Sequence, residues 1–192
     1  MRTLFLFLFA IVIAVFIIGC GGGAKTMQSA DTGDIPDWFS NVPSDPNYFY
    51  APNTQVSQDL QLAIDKATQG GRTEVGRMVE TKVNGLQKRF TEETGTANNA
   101  QLLDMFTSAS KTIVSTSLSG SRVAKQKTVK DGNNWRAYVL VEYPVGAANQ
   151  ALMQQIKNNE QMYTKFRASQ VYKELDDEVQ KYEDWKKAQN KQ

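Results

Sequence analysis

Hydrophobic positions along this chain fall into three regimes. From Leu4 to Ile18 they run unbroken, with no polar side chain between them. From Gly21 to about Asp34 they nearly vanish into Gly, Ser, Thr and Asp, a composition that predicts a flexible tether. Beyond Ile35 they recur with the periods of regular structure. Ile35-Pro36-Asp37-Trp38-Phe39, with prolines again at Pro43 and Pro46, predicts an extended lead-in, since proline opposes helix and the aromatic rings need burial. Tyr48-Phe49-Tyr50-Ala51 predicts a short first strand, closed by Pro52-Asn53.

From Ser57 the period lengthens. Leu60, Ile64, Ala67, Gly71, Val75, Met78, Leu86 and Phe90 recur mostly at three- and four-residue steps, the signature of one helical face. A helix capped by Ser57, with Asp59 in its first turn and Gly95 past its end, would be roughly 50 Å long. The Gly70-Gly71 pair inside it costs about 1 kcal/mol per glycine relative to alanine, and is read as a site of close packing in preference to a kink. A shorter helix follows from Asn98 to about Ser110, with Leu102, Leu103, Phe106 and Ala109 on one face. Lys111–Leu118 is β-branched and reads equally as helix end or strand.

Arg122–Lys130 and Trp135–Tyr143 flank Asp131-Gly132-Asn133-Asn134, a hairpin signal. Trp135, Ala137, Val139, Val141 and Tyr143 fall on one face of the second strand; Arg136, Tyr138, Leu140 and Glu142 fall on the other. From Ala147 to about Ala188 the pattern predicts a long helix of about 60 Å. Its first stripe is Leu152, Ile156, Tyr163 and Phe166; its second is Tyr172, Leu175, Val179, Tyr182 and Trp185. The stripes fall out of step between Phe166 and Tyr172, as at a coiled-coil stutter. The second stripe needs a covering surface, either the chain's own long helix or another protomer, and is the expected oligomer or partner surface.

These elements predict an α+β fold: a small antiparallel sheet (strand-helix-strand-strand) covered by a long helix, with a long C-terminal helix. The expected organisation is a signal peptide over 1–19, a tether over 20–34, an α+β domain over 35–146 and a helix over 147–192. No internal repeat is evident.

Composition narrows the chemistry. The 22 basic and 20 acidic residues give a net charge of +2, which offers no general attraction to nucleic acid. Histidine is absent, which excludes a Ser-His-Asp relay, a Cys-His pair and any His-ligated metal. The single cysteine forbids an internal disulfide. That cysteine gives the apolar run its meaning. A membrane-spanning helix needs about 20 apolar residues, and Leu4–Ile18 is shorter, follows Arg2 and precedes small residues. Ile17-Ile18-Gly19-Cys20 resembles the bacterial lipobox, which implies diacylglyceryl transfer to the Cys20 sulfur, cleavage after Gly19 and acylation, commonly by palmitate, of the new amino group. The competing reading is an uncleaved anchor ending in an incidental thiol. Two or more acyl chains anchor stably at about 0.8 kcal/mol per buried methylene. Gly21 after the cysteine, where some sorting rules read aspartate, favours the outer membrane, with the domain facing the periplasm.

The remaining candidates carry no recognisable catalysis. Glu92-Glu93, Asp176-Asp177 and Glu183-Asp184 are neighbours about 100° apart on a helix and do not converge on one substrate. Gly21-Gly22-Gly23 lies in the tether, and Gly70-Gly71 lacks the Lys-Ser/Thr ending of a phosphate loop. Ser119-Gly120-Ser121-Arg122 lacks the S-x-x-K spacing of a lysine-assisted nucleophile. Lys88-Arg89 and Lys186-Lys187 read as helix-end charge. No catalytic residue, metal ligand, small-molecule substrate or cofactor beyond the Cys20 lipid is expected.

The lipobox, Ile35-Pro36-Asp37-Trp38, the aromatic first strand, the long helix and Trp135-Arg136-Ala137-Tyr138-Val139-Leu140-Val141 together resemble the LPP-twenty bacterial lipoproteins over about residues 34–143. The resemblance implies a strand-helix-strand-strand fold, outer-membrane attachment and frequent oligomerisation. Some relatives are components of flagellar outer-membrane discs. Pro52-Asn53 and Gly70-Gly71 depart from the family's glycine and alanines at those places. The expected function is a structural or assembly component of the cell envelope, as a homo-oligomer or with an envelope protein partner. The alternative is a module that binds peptidoglycan or a wall enzyme.

Overall fold

A computed structural model describes residues 35–189. Ile17, Ile18, Gly19, Cys20 and the expected tether lie outside the described residues. The order is α1 (Asp37–Ser40), β1 (Tyr48–Ser57), α2 (Leu60–Thr94), α3 (Ala100–Gly120), β2 (Arg122–Asp131), β3 (Asn134–Pro144), α4 (Val145–Asn158), α5 (Glu160–Phe166) and α6 (Gln170–Gln189). The fold is α+β: a three-stranded antiparallel sheet in the order β1-β3-β2, with helices packed on it and a long helix at the C-terminal end.

The strand that alternates most clearly in the sequence is the central one. Ala137, Val139, Val141 and Tyr143 are buried and join the core, as the alternation predicts. Tyr138, Leu140 and Glu142, on the opposite face, are buried as well. Part of their cover is local to neither strand nor hairpin. Phe39, from α1, packs edge-on against Tyr138 with ring centroids 5.0 Å apart. The lead-in is therefore not fully extended. Pro36 precedes a helical turn at Asp37–Ser40 and accepts the Phe39 N–H through its carbonyl oxygen at 2.8 Å. Proline blocks helix continuation but suits a helix start, because the amide it lacks would be unpaired there. Glu142 is satisfied by Arg122, whose Nε donates to Oε1 at 2.6 Å.

β1 continues through Pro52 to Ser57, beyond its expected end at Ala51. Proline is tolerated because β1 is an edge strand, where a missing amide leaves no central ladder bond broken. The β2–β3 hairpin turns at Gly132, with φ of 58°.

On the other side of the sheet lies α2. Its cap is Asp59, not Ser57: the Asp59 carboxylate accepts the Leu62 N–H at 2.7 Å, and Gly95 closes the helix in the left-handed conformation. The buried face is Ala63, Ala67, Gly71, Val75, Val79, Val83 and Phe90, largely an i, i+4 ridge. Leu60, Ile64, Met78 and Leu86 flank it half-buried. Both glycines approach the sheet closely: a Cβ at Gly70 would lie 2.5 Å from Asn53 Oδ1, and one at Gly71 would lie 2.5 Å from Val141 Cγ2 and 3.3 Å from the Ala51 carbonyl oxygen. The helix runs unbroken through the glycine pair.

α3 takes up the ambiguous Lys111–Leu118 stretch as helix. Ile113 and Ser117 extend the buried face of Leu102, Phe106 and Ala109, and the Thr112 and Thr116 hydroxyls donate to the carbonyls four residues back. α3 returns antiparallel along α2, where Gly76 approaches Leu118 and Phe90 approaches Phe106. Phe166, from α5, completes a buried trio with centroids 4.6 and 5.2 Å from Phe90 and Phe106.

The tail is helical but not continuous. Asn159 ends α4 and its side chain caps α5 by accepting the Met162 N–H at 3.0 Å. Ser169 accepts the Tyr172 N–H at 3.0 Å at the start of α6. The out-of-step stripes mark this second break: a turn, not a stutter. The turn lets α6 fold back beside α4 and α2. Lys157 pairs with Asp176 and Lys82 with Glu178, each at 3.4 Å, and Arg89 pairs with Glu174.

Candidate functional site

Folding back decides the fate of the expected partner stripe. Tyr172, Leu175 and Val179 are buried in the chain's own core. The surface that covers them is the chain's own α2 and α4. Tyr172 also meets Tyr163 edge-on at 6.1 Å, and burial raises its phenol pKa. Only the end of the stripe reaches solvent: Tyr182 is half-buried and Trp185 is 38 % exposed.

That end meets the beginning of the fold. Tyr182 and Trp185 stack with centroids 5.6 Å apart and planes 18° apart. Tyr48, the first residue of β1, sits edge-on to Trp185 at 6.2 Å and stacks with Tyr50 at 5.8 Å. Lys186 lies over the Tyr182 ring. The cluster can form because Gly146, just past β3, lacks a side chain where Tyr182 packs. Burial raises the Tyr182 phenol pKa and the neighbouring Tyr48 adds to the shift.

Beside the rings is a groove of about 290 Å³ that includes Asn47, Lys82, Asn149, Glu178 and Lys181 in its lining. Asn149 is 3 % exposed and donates through Nδ2 to Glu178 Oε2 at 2.5 Å. A carboxylate only accepts, so the amide must face it nitrogen-first, and Oδ1 points elsewhere. That Oδ1 is buried with no hydrogen-bond partner among the described residues. A second hollow, of about 530 Å³, shares Tyr48, Pro144, Tyr182 and Trp185 with the first, so these residues border both.

The sequence marked Tyr182 and Trp185 but not their surroundings. Tyr48, Lys82, Gly146 and Asn149 come from three other elements, β1, α2 and α4, and Glu178 lies one turn before Tyr182 on α6. No group of three or more acidic or cysteine side chains among the described residues is placed to hold a metal ion. No helix among them is long and apolar enough to cross a membrane. No family model, curated protein or solved structure matches the chain.

Proposed function

We propose that this chain is a non-enzymatic, lipid-anchored component of the bacterial cell envelope that works by binding. Cys20 holds it to the outer membrane, the 20–34 segment spaces the domain from the bilayer, and the domain faces the periplasm. The binding surface is the groove beside Tyr48, Tyr182 and Trp185. One observation carries this reading: Trp185, 38 % exposed, lines a groove whose walls also carry Asn149, Glu178 and Lys181. A large aromatic surface costs free energy in water, and Trp and Tyr in such places are the usual anchors of recognition. The lipobox and the LPP-twenty resemblance support the anchored, structural part of the reading. Binding of a different molecule is favoured over self-association, because most of the apolar stripe that called for a second copy is covered from within.

The test is retention. The full chain in detergent is incubated with isolated sacculi and with the chain itself immobilised. Retention by sacculi that is lost in Trp185→Ala supports the reading. Retention only by the immobilised chain, or retention indifferent to Trp185, contradicts it.

A further inference from the structure

We propose that the β2 edge of the sheet docks the domain on an anionic lipid bilayer, with Lys125 and Lys130 as its principal contacts. The proposal rests on the reading of Cys20 as a lipid anchor and adds which side of the domain turns to the membrane.

The charge is concentrated on one edge. β2 and β3 together carry five cations, Arg122, Lys125, Lys127, Lys130 and Arg136, against two acids, Asp131 and Glu142. Arginines take up both acids: Arg122 meets Glu142 at 2.6 Å and Arg136 meets Asp131 at 2.5 Å. The lysines therefore set the net charge of the two strands. Lys130 lies over the Trp135 ring at 4.2 Å, a contact that keeps its charge. Lys186 shares a hollow with Arg122 and adds a cation at the end of the edge. β1, at the other edge, has no charged side chain. The lead-in brings two acids. Asp45 lies just before β1, at that far edge, where its carbonyl accepts the Tyr48 N–H at 3.2 Å. Asp37, exposed on α1, subtracts one charge at most.

Exposure makes this charge available. Residues 122–126 are all exposed, although successive strand residues point to opposite faces of a sheet. A stretch open on both faces adds little to the core.

The tether arrives on the same side. It joins the fold at Ile35, two residues before α1, and α1 sets Phe39 on Tyr138 with centroids 5.0 Å apart. Tyr138 is the register partner of Lys127, and Leu140 that of Lys125. Directly opposed residues in antiparallel strands share a face, so the anchored end of the domain and these lysines lie on one side of the sheet. A flexible segment of the tether's length holds its ends roughly 20 Å apart, which keeps the bilayer within reach. Each lysine near an anionic surface adds roughly fivefold to binding. α2, packed on the opposite face, is then turned away from the lipid.

The edge suits a surface better than another strand. Pairing of β2 with β3 shifts register between Val123 and Lys125. A bulge and lysines on an edge oppose addition of a strand, and a second copy would set like charges against each other. β2 therefore offers side chains in place of backbone, and ammonium groups on flexible stems fit lipid headgroups.

The experiment uses the full chain purified with its own lipid. Cys20 is the only natural cysteine and its sulfur carries lipid in this account, so a dye on Ala124→Cys marks the edge alone. The same dye on Asp104→Cys, an exposed position on α3, is the control. Vesicles contain a lipid with a nitroxide headgroup in phosphatidylcholine, with or without phosphatidylglycerol. Phosphatidylglycerol should raise quenching at position 124 by about twofold or more and leave position 104 unchanged. Lys125→Glu combined with Lys130→Glu should abolish the rise, as should salt at about 1 M, which shortens screening to about 3 Å. Both lysines are exposed, and melting curves check that the variant folds. Equal quenching in the two vesicles, or a rise indifferent to the lysine variant, overturns the proposal; flotation of the chain with both vesicles then leaves the anchor standing. Flotation with neither vesicle overturns both. Quenching at position 124 by a nitroxide-labelled acidic peptide, with none added by phosphatidylglycerol, overturns the lipid in favour of a protein partner.

Discussion

The ring of Tyr182 packs against Gly146 so closely that a Cβ at the glycine would collide with its ring atoms. The contact joins the last helix to the exit of the central strand and sets the wall of the aromatic groove. Gly146→Ala should force the ring away and lower stability by about 1–3 kcal/mol, the usual cost of overpacking. Urea unfolding measures this. A variant as stable as the parent would show that the ring is not held there.

The glycines of α2 give a prediction of opposite signs within one helix. Alanine gains about 1 kcal/mol over glycine from helix propensity alone. At Gly85 a Cβ meets nothing within 4 Å, so Gly85→Ala should stabilise by up to about 1 kcal/mol. At Gly71 the same Cβ would press on Val141 and the Ala51 carbonyl, and Gly71→Ala should destabilise despite the propensity gain. Thermal unfolding of the two variants should move in opposite directions.

Glu93, at the end of α2, accepts the backbone N–H groups of Gln170 at 2.5 Å and Val171 at 3.1 Å, in the first turn of α6. These bonds lower its pKa. A carboxylate with a lowered folded pKa contributes stability above its unfolded value, and that contribution is lost as pH falls through the folded value. Glu93→Gln should therefore melt below the parent near neutral pH. The gap should close as pH drops below about 4. Melting temperatures measured across that range check the sign; a gap independent of pH would contradict it.

The N-terminal reading predicts its own outcome. Cys20→Ser should abolish metabolic labelling by palmitate and shift the chain out of the membrane fraction. Unchanged labelling would place the lipid elsewhere or remove it from the account.

Much of this fold was legible where the signal is local. The alternation of Trp135–Tyr143, the Asp-Gly turn and the long period of α2 each report a neighbour relationship within a few residues. What escaped was set by distant partners. The burial of Tyr138 and Leu140 was not legible locally, because Phe39, a partner of Tyr138, lies about a hundred residues earlier. The cap fell on Asp59 because both Ser57 and Asp59 are good caps, and only backbone geometry separates them. Asn159 and Ser169 are residue types that suit helix caps, yet the polar run around them also suits an exposed helix. Missing those breaks turned an internal core stripe into an apparent partner surface. The groove was half legible: Tyr182 and Trp185 stood out, whereas Asn149 and Tyr48 gain meaning only when α4, α6 and β1 converge.

The central claim is that the domain meets its partner through the Trp185 groove. A photoreactive benzoylphenylalanine at position 185 of the full chain, activated in the native envelope, tests it most directly, with the same group at exposed Asp104 as control. The account predicts an adduct at position 185 with an envelope component other than a second copy, and none at position 104. No adduct at 185, adducts alike from both positions, or only a dimer of the chain would contradict it.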